Sequence, residues 1–264
     1  MHVKPLLIAA LVSLFISSCA VSPKLQLPTP ATKGIGGTDF YKSIFAVPRE
    51  AREDAAVKQI MSGNIPAFLK KFVRIETSII TVDGKKINAH YYVLPDYLSI
   101  GNEDDFARIP LTPMAAKLIA DSFQCFLPTT KMVDQIYNAA KVKLEPVPMY
   151  AFRDSAVTMY QHHLIIEGQR KLRKGLIAGI KKDVVTTSKL EKDNTPNKVA
   201  IYGWHKLDGL PIQPLYTGHV NWYVDYSHGI RLVYRTIYVN NKAYDYTEIL
   251  NDPTLRALLT DEPM

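Results

Sequence analysis

The sequence predicts an α+β fold, with a helical middle section packed on a mainly antiparallel sheet formed by the C-terminal third and an earlier hairpin. Two observations carry that expectation. Cap and stop signals bracket helix-period apolar patterns through the middle of the chain, and β-branched or alternating runs fill both the stretch before them and most of the chain after Gly175.

Pro48 opens REAREDAAVKQIM, strong helix formers with a proline and acidic first turn, and Gly63-Asn64 stops it. Phe72 to Val82 alternates, Asp83-Gly84 supplies a hairpin turn, and Ile87 to Leu94 returns as the second strand, with His90 a partly buried structural residue in it. Glu103, Asp104 and Asp105 read as a solvated acidic turn, because they lack the alternation of a calcium loop. Thr112-Pro113 starts a helix whose apolar face is read as Met114, Leu118, Ile119 and Phe123. Thr129 starts another, with Met132, Val133, Ile136, Tyr137 and Ala140 facing inward. A longer helix is expected from Asp154 to Lys174, its basic last turn opposing the C-terminal dipole and Gly175 stopping it. His162 and His163 point about 100° apart on it, so one is expected packed and one exposed. Four strand-like runs come next, the last turning through Asn240-Asn241, and Asp252-Pro253 is read as the start of a closing helix.

The N-terminus reads as an export signal. Lys4 precedes an apolar run from Leu6 to Ile16, then small residues lead to Cys19, too short a run for a spanning helix. Ala20 to Asp39 holds three prolines and three glycines without apolar periodicity, which suits a tether. Residues 1–18 thus read as a signal peptide, 19–39 as Cys19 and a tether, and 40–264 as a single globular α+β domain. The chain has two cysteines, so with Cys19 modified Cys125 is the sole thiol and no intramolecular disulfide forms. The formal charge of +7 falls to +6 without Lys4. No long basic run interleaved with aromatics accompanies it, so no nucleic-acid partner is expected.

Chemistry concentrates between Tyr202 and Arg231. Both tryptophans, Trp204 and Trp222, lie there with His205, His219 and His228, Tyr223, Asp225, Tyr226 and Arg231. Protonatable groups among aromatics and glycines suit a lined pocket better than a plain core strand. The aromatics Trp204, Trp222, Tyr223 and Tyr226 can stack on sugar faces, with His205 and Arg231 among the polar groups that bind substrate. His219, His228 and Asp225 can share acid–base work, and they are expected to converge with Arg231 on one concave site, across a turn at Ser227. His205, His219, His228 and Asp225 also offer ligand atoms that zinc prefers. Their spacing matches no zinc signature, so neither metal nor cofactor is expected.

Two resemblances add to this reading. Ile16-Ser17-Ser18-Cys19 resembles the lipobox of bacterial lipoproteins, which implies cleavage before Cys19, lipidation of that residue and anchoring to a membrane. Ala20 after the cysteine implies outer-membrane sorting in a Gram-negative cell. Gly218-His219-Val220 followed by Tyr223-Val224 resembles the histidine strand of NlpC/P60-type peptidases. That resemblance implies Cys125 as nucleophile at a helix start, His219 as general base on a strand, and Asp225 or His228 as the orienting group, although the Asp-Cys-Ser-Gly surround of that family is replaced by Gln-Cys-Phe. The block from Gly203 to Val233 is also similar to exported bacterial proteins of no settled activity.

The expectation is therefore a lipid-anchored cell-envelope hydrolase acting on a peptidoglycan-like or extracellular polymer, with Cys-His chemistry one route. The alternative is a non-catalytic envelope lipoprotein binding a glycan or peptide through the same pocket. A thiol within hydrogen-bond reach of His219 separates the peptidase route from the others.

Overall fold

A computed structural model describes residues 22–27, 34–192 and 197–263. The signal segment and Cys19 fall outside the described residues. Part of the expected tether does not hang free: Leu25 is buried in the core and its N–H donates to the Lys70 carbonyl. A helix, Gly37–Ile44, also begins inside that stretch.

The hairpin organises the main sheet. Val73–Ile80 and Lys86–Val93 pair antiparallel from Ile80 opposite Lys86 to Val73 opposite Val93. The second strand then accepts Thr236–Val239, with Tyr238 opposite His90, and Val233–Tyr234, with Val233 opposite Val93. His90 is buried and stacked on Tyr238. Cys125–Phe126 and Lys242–Asp245 complete six strands, all antiparallel, so the fold is α+β with the hairpin and the C-terminal strands in one sheet. A second, four-stranded sheet runs Pro211–Tyr216, Ile201–His205, Lys182–Val184, His228–Gly229, and its last pair is parallel. That pair places the candidate site.

The helices follow their caps. The Thr112 and Thr129 hydroxyls accept the Ala115 and Met132 N–H groups, satisfying donors that a helix start leaves free. Helix Thr130–Ala139 buries Met132, Val133, Ile136 and Tyr137 as its pattern predicts. Helix Pro113–Ser122 differs: Met114 and Leu118 are exposed, and Ala115, Ala116, Ile119 and Ala120 face the core. Three small side chains on one face let the helix approach the core closely, a preference that counting large apolar residues overlooks.

Helix Ala156–Arg170 is shorter than expected, ending where Lys171 turns left-handed at φ 49°. Both of its histidines are buried rather than one. His163 lies 3.2 Å from Arg108 Nη1, and Arg108 in turn donates to Asp96 and Glu167. His162 faces Lys181 Nζ at 3.1 Å. An interior with paired charges takes both rings. Asp252-Pro253 opens a short 3-10 helix, Leu255–Leu258, with Asp252 Oδ1 accepting the Thr254 and Leu255 N–H groups, and it follows an α-helix, Tyr246–Asn251, that starts at a capping box between Asp245 and Glu248.

Arg231 is fully buried between His228–Gly229 of the second sheet and Val233–Tyr234 of the main one, and it fastens the end of the hairpin to Ile177–Ala178, a strand of a separate two-stranded pair. It donates to the Leu94 carbonyl at 2.9 Å and the Ile177 carbonyl at 2.6 Å, and its guanidinium lies 4.1 Å from the Tyr97 ring centre. Asp183 is 3.8 Å from Arg231 Nε and holds the Tyr97 hydroxyl at 2.9 Å, while burial pushes its carboxyl up to about 6. The carbonyls and the ring hold Arg231 more firmly than that long ion pair. Arg231→Met should therefore cost on the order of 3 kcal/mol, because two buried carbonyls and Asp183 lose their cation. Urea unfolding measures it, and a loss below about 1 kcal/mol would contradict the fastening role.

Candidate functional site

The site is built on one turn. Asp225 Oδ1 accepts the Ser227 N–H at 2.8 Å and the Ser227 hydroxyl at 2.5 Å, closing an aspartate turn. Asp225 Oδ2 accepts Arg153 Nη2 at 2.7 Å and the Tyr223 hydroxyl at 3.2 Å. Released from the turn, His228–Gly229 runs parallel to Lys182–Val184, with His228 opposite Lys182. Alternation puts Lys182 and His228 on one face, and Asp183, Gly229 and Arg231 on the other. A Cβ on Gly229 would come within 2.6 Å of Tyr97 and Lys181, so that second face closes tightly around glycine.

His219 reaches the site from a loop. Its carbonyl accepts the Val199 N–H, and Lys198 Nζ holds the Gly218 carbonyl, so the loop is fastened at both residues. The His219 ring lies 4.7 Å from Tyr223 and 6.5 Å from His228, centre to centre, and Tyr223 lies 6.0 Å from His228. Gly218 is needed here because any Cβ would strike the Tyr216 ring that packs against His219.

Trp204 covers the same face. Lys182 Nζ sits 5.0 Å from its ring centre, a cation–π arrangement. Both Gly203, at φ 101°, and Trp204, at φ 58°, occupy the left-handed region, which costs a tryptophan on the order of 1 kcal/mol. Tyr226 lies beneath, buried, its hydroxyl accepting the Met149 N–H and its carbonyl accepting Lys181 Nζ.

Burial sets the protonation states. His228 is 1% exposed, and desolvation lowers it to about 4 despite the opposing Asp225 charge. Desolvation also lowers His219 and Lys182. Burial alone would raise Asp225, but the His228 charge, the Ser227 hydrogen bonds and Arg153 outweigh it and hold Asp225 at about 2. Near neutrality the site presents two neutral imidazoles beside a carboxylate and two cations.

No family model, curated protein or solved structure matches this chain.

Of the residues singled out in the sequence, His219, Tyr223, Asp225, His228, Trp204 and Tyr226 gather at this site. Four others do not. Arg231 faces the opposite side of its strand. His205 binds Asp134 at 2.8 Å and stacks on Tyr137 at 4.5 Å. Trp222 is 47% exposed, and its carbonyl accepts Arg49. Cys125 lies in a two-residue strand paired with Val233–Tyr234, not at a helix start, and its thiol donates to the Phe123 carbonyl. Burial in an apolar cluster raises that thiol well above its ordinary range, the reverse of what a nucleophile needs. His219, for its part, is on a loop and not a strand. The Cys-His pair implied by the NlpC/P60 resemblance is thus not assembled. Nor are three His, Cys, Asp or Glu side chains placed to hold one ion among the described residues.

Lys182 and Arg153 are the site residues that sequence reasoning missed. Ile180-Lys181-Lys182-Asp183-Val184 offered a signal for the first, since adjacent charges inside a β-branched run must be satisfied somewhere. Arg153 offered none, being set by a contact across the fold.

The His228 environment fixes a pH dependence. Unfolded, His228 takes a proton near pH 6.5, and in the folded protein only near 4, so the unfolded chain binds more protons between those values. Its contribution is complete above about pH 6.5 and fades as pH falls towards 4. Wild type should lose about 3 kcal/mol more than His228→Leu over that interval, measured by urea unfolding at each pH. Parallel pH profiles for the two proteins would refute the assignment.

Proposed function

We propose that this chain is a lipid-anchored hydrolase of the bacterial cell envelope acting on a peptidoglycan-like or extracellular polymer, with the His219, Asp225 and His228 cluster as its acid–base centre. The observation that carries this is His228 itself, buried beside Asp225 and His219 with neither ring nitrogen hydrogen-bonded among the described residues. A buried imidazole without partners is costly in a merely structural role, whereas a substrate can satisfy it. In this reading His219, nearer solvent, takes a proton from the attacking water as the water oxygen bonds to the electrophilic centre. It then returns that proton to the leaving group as the scissile bond breaks. The Asp225 charge favours the imidazolium in between, and His228 orients substrate. Cys125 takes no part.

Binding without turnover is the second reading, favoured by one observation: no thiol or hydroxyl hydrogen-bonds either histidine among the described residues. Activity on cell-wall polymer separates the two. His219→Ala and His228→Ala should each lower turnover by about two orders of magnitude with the fold intact. Cys125→Ser should lower thermal stability and leave turnover unchanged. Fully active histidine variants would remove the catalytic reading.

The anchor rests on the lipobox resemblance at Ile16 to Cys19, and in a Gram-negative cell Ala20 assigns it to the outer membrane. Cys19→Ser should abolish incorporation of labelled fatty acid and shift the protein out of the membrane fraction. A wild-type protein recovered unlipidated from the soluble fraction would remove the anchor from the proposal.

A further inference from the structure

We infer that the face shared by Lys182, Trp204, Arg153 and His228 is a subsite for a tetrahedral oxyanion, so that the polymer bound here carries phosphoryl groups. This deepens the hydrolase reading and rests on it for the nature of the bound molecule, but not for the subsite itself.

The geometry leaves a group of buried polar atoms, most of them donors, without partners. Six buried side-chain nitrogen or oxygen atoms have no hydrogen-bond partner among the described residues, and four of them, Arg153 Nε, Trp204 Nε1 and both ring nitrogens of His228, belong to this one cluster. Lys182 adds a charge beside them: the residue is 7% exposed, and its ammonium makes no hydrogen bond among the described residues and rests over the Trp204 ring. The carboxylate at hand is already committed, because both oxygens of Asp225 are occupied by Ser227, Arg153 and Tyr223. The buried Arg153 and Trp204 N–H groups, and the single N–H of a neutral His228, are costly unless an acceptor arrives, and the Lys182 ammonium beside them supplies the charge that an anion would meet. Water can satisfy one or two such donors, but it brings no charge to Lys182, and the Asp225 charge that favours the ammonium is shared with Arg153. An anion with several acceptor oxygens satisfies both needs at once, and an ammonium with a guanidinium is the usual protein complement to phosphate.

Three features indicate that the site is built for this and not left over from packing. Lys182 and His228 are opposite one another in a parallel pair, which fixes their spacing by backbone hydrogen bonds. Trp204 is held in a left-handed conformation to bring its indole over the ammonium. Arg153 is oriented by its bond to Asp225, so its remaining N–H groups have a set direction. Carried on a polymer, a phosphoryl group held here would stand beside the His228 ring, with His219 6.5 Å further out towards solvent.

The test titrates the purified full chain with inorganic phosphate at ionic strength held constant with chloride, following thermal stability and tryptophan fluorescence. Phosphate should raise the melting temperature and perturb the fluorescence of Trp204. Lys182→Met should weaken phosphate binding about tenfold or more, and Lys182→Arg should largely restore it. Arg153→Gln serves as the second variant should the methionine protein not fold. A soluble poly(glycerol phosphate) should compete with phosphate, while a neutral glycan and phosphatidylglycerol vesicles should not. The subsite is overturned if folded wild type ignores phosphate, or if Lys182→Met binds it as tightly. Competition by the neutral glycan, or by the vesicles in place of the polymer, overturns the substrate class. The hydrolase reading fails separately: phosphate binding without turnover of any polymer keeps the subsite and removes the enzyme, and turnover of a neutral polymer without phosphate binding does the reverse.

Discussion

The Asp225 carboxylate is the constraint on which the site depends. Four hydrogen bonds converge on its two oxygens, from the Ser227 N–H, the Ser227 hydroxyl, Arg153 and Tyr223. Together they close the turn that sets His228 opposite Lys182 and hold Tyr223 against the His219 ring. The turn acts together with backbone bonds on either side of His228–Gly229, from the Lys182 N–H to the Ser227 carbonyl and from the Leu98 N–H to the Ile230 carbonyl, since a parallel pair this short contributes little pairing of its own. A protonated Asp225 would accept fewer bonds, so the Ser227 bonds of the turn join the His228 charge in lowering its titration.

A second level of order lies behind that turn. Lys181, Lys182 and Asp183 are consecutive and all buried, yet each enters a different environment. Lys181 meets His162 and the Tyr226 carbonyl, Lys182 meets Trp204 and the His228 face, and Asp183 meets Tyr97 and Arg231. Alternation along the strand sends Asp183 to the side of the sheet that Arg231 closes and Lys182 to the other. The contrast in partners is informative. Lys181 and Asp183 have acceptors and donors within the protein, as buried charge requires, whereas the Lys182 side chain makes no hydrogen bond among the described residues.

Much of the fold was legible because it rests on local rules. The Asp83-Gly84 turn fixed the hairpin register, and Thr112 and Thr129 fixed two helix starts, since a turn or a cap depends on residues within a few positions of itself. The site was legible in part for the same reason: His219, Tyr223, Asp225 and His228 lie close in sequence, and the turn at Ser227 brings them together. Arg231 was misplaced because its side depends on alternation past Gly229 and on which strands lie behind it. Cys125 was misplaced because the elbow between two helix starts closes into a short strand against Val233–Tyr234, a long-range pairing that no spacing rule announces. Lys182 and Arg153 were missed because each enters the site from a distant part of the chain.

The two histidines also divide the site by solvent access. His219 is partly exposed on a loop, where a proton can be exchanged with water at little cost. His228 is sealed beneath it, where charging the ring is opposed by desolvation and by Lys182. A pair so arranged does not titrate as two equivalent groups: charge on the His219 ring disfavours charge on the sealed His228 ring. An anion entering between Lys182 and His228 would act in the opposite sense, compensating the ammonium and stabilising positive charge on both rings. The protonation state of the outer histidine and the occupancy of the inner face are therefore coupled, because the same electrostatic field acts on both.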